Sequence, residues 1–108
     1  MSHVTAHVLD ASAGRPAAGV AVRLSDATGT VLAESVTDDD GRVPDLGPDA
    51  LDPGTYEVRF GSGDYFDAQG TACFHPYVPV VFSVVAGQGH YHVPLLLSPF
   101  AYTTYRGS

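Results

Sequence analysis

Short runs of alternating or β-branched residues, broken by Gly, Pro and Asp clusters, set the pattern of this chain, and no stretch holds a helical period of useful length. A chain patterned this way folds as an all-β sandwich or barrel. The pattern predicts strands over residues 3–10, 20–25, 31–37, 41–45, 55–61, 78–85, 90–98 and 100–106. Turn residues separate them: Ala13-Gly14-Arg15-Pro16, Asp26-Ala27-Thr28-Gly29 and Asp38-Asp39-Asp40-Gly41. Ala86-Gly87-Gln88-Gly89 reads as a short hairpin loop. Residues 63–70 have weak strand character. They suit one short helix with Asp64 as N-cap and Gly70 as C′.

Strand parity divides the side chains into faces. In the run from His90, residues Tyr91, Val93, Leu95 and Leu97 form a core face, which turns His90, His92, Pro94 and Leu96 outward. The first strand splits into Val4, Ala6 and Val8 inward and His3, Thr5, His7 and Leu9 outward. In the last strand Thr103, Tyr105 and Gly107 share a face. The outward surface therefore carries His7, His92 and Tyr105 among Leu9, Pro94 and Leu96. A face this apolar is expected to be covered, most simply by another subunit.

Length bounds the picture further: 108 residues should form a single domain, spanning 1–108, with one real core. Twelve acidic against five basic residues give a net charge of −7 with no basic cluster, so neither nucleic acid nor an anionic membrane is an expected partner. All five basic residues are arginine, and without lysine there is no Schiff-base or P-loop chemistry. Cys73 is the only cysteine, which excludes an internal disulfide and a thiolate metal cluster and makes it a small apolar packer. No apolar run is long enough for a membrane helix, and the first residues lack the basic start and apolar stretch of a signal peptide. Nor does the chain end in a Ser-Lys-Leu type of address. A cytoplasmic protein is the expectation.

The candidate chemistry lies in the histidines, Arg42 and the tail. A His-X-His pair on a strand puts both imidazoles on one side, and with His7 it could make a three-histidine zinc site. Ordinary exposed or hydrogen-bonded histidines fit the same spacing. Without metal, an imidazole titrating near pH 6.5 can deprotonate water. Arg42 is either a solvated neighbour of acidic residues or a planar cationic fork for a carbonyl or oxyanion. No nucleophile elbow or phosphate loop is present, so water is the expected attacking species. His75, before Pro76, carries no argument. The tail Tyr105-Arg106-Gly107-Ser108 follows a strand closely, which makes it more than a frayed end.

His7-Val8-Leu9-Asp10, the turn Thr37-Asp38-Asp39-Asp40-Gly41-Arg42, the run His92-Val93-Pro94-Leu95-Leu96-Leu97-Ser98-Pro99 and the terminal Tyr105-Arg106-Gly107-Ser108 resemble the 5-hydroxyisourate hydrolases. These are the enzymatic relatives of the hormone carrier transthyretin. The resemblance implies a transthyretin-like (prealbumin-like) sandwich of two four-stranded sheets with one short helix. It also implies a homotetramer, a dimer of dimers with its sites in a channel between them. His7, Arg42 and His92 match the family's catalytic positions, while Tyr105, Arg106, Gly107 and Ser108 match its substrate-binding tail together with His7 and Arg42. The carriers hold other residue types at the two histidine positions and the arginine position. The reaction implied opens the six-membered lactam of 5-hydroxyisourate in urate degradation, without metal or cofactor. For that reaction we expect one of the two histidines, taken as His92, to act as or assist the base for water, while His7 positions substrate or relays a proton and Arg42 meets the oxyanion. The sequence leaves open which histidine is the base. Tyr105 and the tail, with its carboxylate, orient the ring. A non-catalytic carrier of small ligands is the alternative.

Overall fold

The structure, a computed structural model, describes residues 2–108. In chain order its elements are β1 (Val4–Asp10), β2 (Arg15–Pro16), β3 (Ala21–Asp26), β4 (Val31–Val36), β5 (Arg42–Val43) and β6 (Gly54–Phe60). After them come α1 (Ser62–Asp67), β7 (Val78–Val84), β8 (Tyr91–Leu97) and β9 (Tyr102–Thr104). One sheet runs β4-β3-β6-β7 and the other β2-β1-β8-β9, with β5 also paired to β1. The two-residue segments β2 and β5 divide one edge of β1 between them. Leu9 and Asp10 face Pro16 and Arg15, while Ala6 and His7 face Val43 and Arg42. The second sheet is thus four positions wide although five segments build it.

Alternation places the core as parity requires. Val4, Ala6 and Val8 of β1 and Tyr91, Val93, Leu95 and Leu97 of β8 are buried against Val22, Leu24, Val58, Phe60 and Val78 of the other sheet. Burying each such side chain contributes about 1.5–3 kcal/mol before chain entropy is counted. Helix α1 closes one flank by burying Phe66. It is tied to the end of β1 by the Tyr65 hydroxyl, which donates to Asp10 Oδ2 at 2.7 Å. Asp10 is buried, which alone would raise its pKa. Hydrogen bonds from Ser12, Tyr65 and the Ala13 N–H outweigh that and hold it below the ordinary carboxyl value.

Several expectations from sequence are corrected. Ala86–Gly89 is not a hairpin loop: β7 pairs with β6 in one sheet, and β8 pairs with β1 in the other, so the loop carries the chain between sheets. Asp64 does not cap α1. The N-cap is Gly61, without a side-chain hydrogen bond, and Asp64 lies in the first turn. The C-cap is Ala68, so Gly70, at φ +68°, comes one position later than expected. The strands anticipated at 41–45 and 100–106 shorten to β5 and β9. Arg15-Pro16, read as turn, pairs as β2. Pro94, read as part of an open outward surface, is buried, whereas Leu9 and Leu96 are half-buried.

Candidate active site

The site is assembled where β1 and β8 run parallel with β5 on the other side of β1. Register sets Thr5 against His92 and His7 against Pro94, while His7 also faces Arg42. Residues paired across strands share a face, so three strands deliver Thr5, His7, His92 and Arg42 to one surface. The His7 and His92 ring centroids lie 6.4 Å apart, and those of His90 and His92 6.2 Å. A cleft of about 320 Å³ is lined by Thr5, Arg42, Pro44, His90, His92 and Ser108, together with Ala6 and Val43.

Local structure fixes each group. Asp38 Oδ1 accepts from the backbone N–H groups of Asp40 and Arg42, and Gly41 closes the turn at φ +74°. A Cβ at Gly41 would run into the Val8 carbonyl, so only glycine lets this turn press on β1 and present Arg42 there. His7 Nε2 lies 2.9 Å from the Asp40 carbonyl. A carbonyl only accepts, so His7 carries its proton on Nε2. His92 Nδ1 contacts Thr5 Oγ1 at 2.7 Å. Burial holds His92 below the usual imidazole pKa, and the charges of Arg42, His7 and His90 add to the effect. It is therefore neutral at pH 7, with Nε2 as its free nitrogen.

The tail divides. Gly107 donates its N–H to the His92 carbonyl at 2.9 Å and lies flat on the His92 ring and Pro94, where a Cβ would clash. It is the tail that covers Pro94. Ser108 reaches the cleft. Tyr105 and Arg106 do not: they line a second groove with Val80, Phe82 and Tyr91, between the edges formed by β7 and β9. There the Arg106 guanidinium sits 4.4 Å over the Tyr91 ring and donates to Gln88. Of the residues singled out in the sequence, the structure gathers His7, Arg42, His92, Gly107 and Ser108. Thr5 had been placed on this face but given no role, and His90 had been weighed only as a partner of His92 in a zinc site, since a hydroxyl and an exposed imidazole carry no further signal until their contact is seen.

Among the described residues no three side chains of metal-ligating type converge on one point. His7 Nε2 is committed to a carbonyl, and Thr5 stands between His90 and His92.

The profile of the HIUase/Transthyretin family matches residues 4–107. The chain belongs to this family. It is 45% identical to the 5-hydroxyisourate hydrolase of Mus musculus over 99% of its own length and 96% of that protein's. Its fold superimposes on Klebsiella pneumoniae 5-hydroxyisourate hydrolase with a TM-score of 0.90 at 34% identity, covering 97% of this chain and 98% of that one. Transthyretin from Sparus aurata gives a TM-score of 0.91 at 38% identity, covering 99% and 97%. The hydrolase and the transthyretin thus match this backbone equally well, so the backbone alone does not separate them.

Proposed function

We propose that the protein is a 5-hydroxyisourate hydrolase, opening the lactam of its substrate to a ureidoimidazoline carboxylate in urate degradation. The observation that carries this reading is a cleft lined by both Arg42 and a neutral His92, with the His7 ring 6.4 Å from that of His92. A carrier of apolar ligands has no use for a desolvated base facing a guanidinium. The curated hydrolase relative at 45% identity supports the same choice.

The chemistry follows from the groups present. His92 Nε2 takes a proton from water as the water oxygen bonds to the lactam carbonyl carbon. The carbonyl electrons move onto oxygen, and the planar Arg42 fork stabilises that oxyanion. Collapse breaks the C–N bond, and the proton held by the imidazolium passes to the leaving nitrogen. His7, donating through Nε2 to Asp40, positions substrate with its ring. Ser108, held by Gly107 on β8, contributes a polar contact to the ring. Arg106 anchors the tail, and through it the substrate-binding end.

The proposal includes a homotetramer. In support of it, β7 and β9 are open edges of the two sheets, and Phe100, Val81 and Tyr105 near them are 70%, 63% and 58% exposed. Open strand edges with apolar side chains favour pairing with a second copy. Among the described residues no helix is long and apolar enough to cross a membrane. A cytoplasmic location is part of the reading. The direct test adds the protein to freshly made 5-hydroxyisourate and follows its ultraviolet absorbance. Decay faster than background is expected. Decay at the background rate, with saturable binding of apolar ligands, would favour the carrier.

A further inference from the structure

Two side chains beside His92 take no part in the reaction set out above. Thr5 Oγ1 lies 2.8 Å from His90 Nε2 and 2.7 Å from His92 Nδ1. A threonine hydroxyl has one proton to give and two lone pairs to accept with. With one proton to give, it cannot donate to both imidazoles: it donates to one and accepts from the other, or accepts from both, which also puts the His92 proton on Nδ1. In one arrangement His92 donates from Nδ1 to Thr5, and Thr5 donates to His90 Nε2. His92 Nε2 then keeps its lone pair. With every bond reversed, His92 holds its proton on Nε2, and that nitrogen cannot accept one from water.

We propose that Thr5 and His90 are positioning residues that hold His92 as the Nδ1–H tautomer, with the Nε2 lone pair free for water. The consequence for rate rests on the hydrolase reading, whereas the tautomer is a property of the free protein. Three observations carry the assignment. Thr5 and His92 are register partners on parallel strands, and a β-branched side chain is stiff at χ1, so the hydroxyl is fixed beside Nδ1 and away from Nε2. His90 is exposed, so it can turn its own N–H to solvent on Nδ1 and offer Nε2 as acceptor without leaving a donor unsatisfied. His7 cannot supply a base at Nε2, because that proton is bound to the Asp40 carbonyl. The groups that face His92 are Arg42 from β5, His7 from β1 and His90 just before β8, all of which favour a neutral ring. For a neutral imidazole, the side on which the proton sits decides whether it can act.

The arrangement resembles the logic of a carboxylate that orients a catalytic imidazole, whose loss in a serine protease costs about 10⁴ in rate through the wrong tautomer. A neutral hydroxyl directs less strongly, so we expect Thr5→Val to lower kcat by about tenfold to a hundredfold, with KM changed less than about threefold. Thr5→Ser keeps the hydroxyl and should restore most of the rate. His90→Phe should act in the same direction as Thr5→Val but less.

The deciding experiment labels histidine with nitrogen-15 and reads the His92 ring by long-range proton–nitrogen correlation near pH 7.5. The proposal expects the proton on Nδ1 in the unaltered protein and a shift towards Nε2 in Thr5→Val. A proton on Nε2 in the unaltered protein overturns it. So does a Thr5→Val protein with unchanged ring signals and full kcat. If Thr5→Val does not fold, the unaltered spectrum and His90→Phe still decide. If the unaltered protein has no turnover, the hydrolase reading fails and the tautomer alone judges this proposal.

Discussion

At the scale of the residue, His92, Arg42 and Asp10 take their chemistry from their surroundings. The depressed pKa of His92 makes a pH prediction with a definite sign. The base works when neutral, so kcat/KM should stay level through neutral pH and fall only below the ordinary imidazole value of about 6.5. A stopped-flow pH profile with its acid limb above that value would contradict the assignment. Arg42→Lys should lose about 10²-fold in kcat, because an ammonium cannot match the planar fork. Asp10 gives a prediction about stability. Its folded pKa is depressed, so its contribution is present above the unfolded value of about 3.9 and is lost as pH falls through the folded one. Tyr65→Phe removes a hydrogen bond to that buried carboxylate and should cost about 1.5–3 kcal/mol in urea melts at pH 7, with a smaller difference in acid.

At the scale of the element, parity was the most informative part of the sequence. It gave the core faces of β1 and β8 and put His7 and His92 on one surface, because alternation is a local consequence of pleating. Pairing partners were not legible in the same way. The stretch Ala86–Gly89, within the six residues between β7 and β8, fits a hairpin as well as a crossing between sheets, and the pairing of β7 with β6 and of β8 with β1 decides it. The tail was read from sequence as part of the site, but its division was not legible: Arg106 goes to Tyr91, while Gly107 goes to His92. Gly107→Ala should therefore push the His92 ring and lower turnover without unfolding the protein, since the clash is with that ring and Pro94. Equal kcat in Gly107→Ala would show that the tail does not press on the site. Deleting residues 105–108 should also leave a folded protein with most activity gone, as β9 ends at Thr104.

At the scale of the molecule, this backbone matches a hydrolase and a transthyretin alike, so the proposed activity rests on the few side chains of the outward surface. Assembly should be measurable: light scattering at micromolar concentration is expected to give a tetramer, and a stable monomer would leave the edges of β7 and β9 without their proposed cover. Prolonged chelation should leave turnover unchanged, whereas a loss restored by zinc would return the three-histidine metal reading. The most direct measurement compares the unaltered protein with His92→Asn, both shown folded and equally assembled, in the loss of 5-hydroxyisourate absorbance. The account predicts rapid loss with the first and a kcat lower by about 10²–10⁴ with the second. Equal rates in the two would contradict it, because the neutral imidazole at the centre of the cleft would then not be the base.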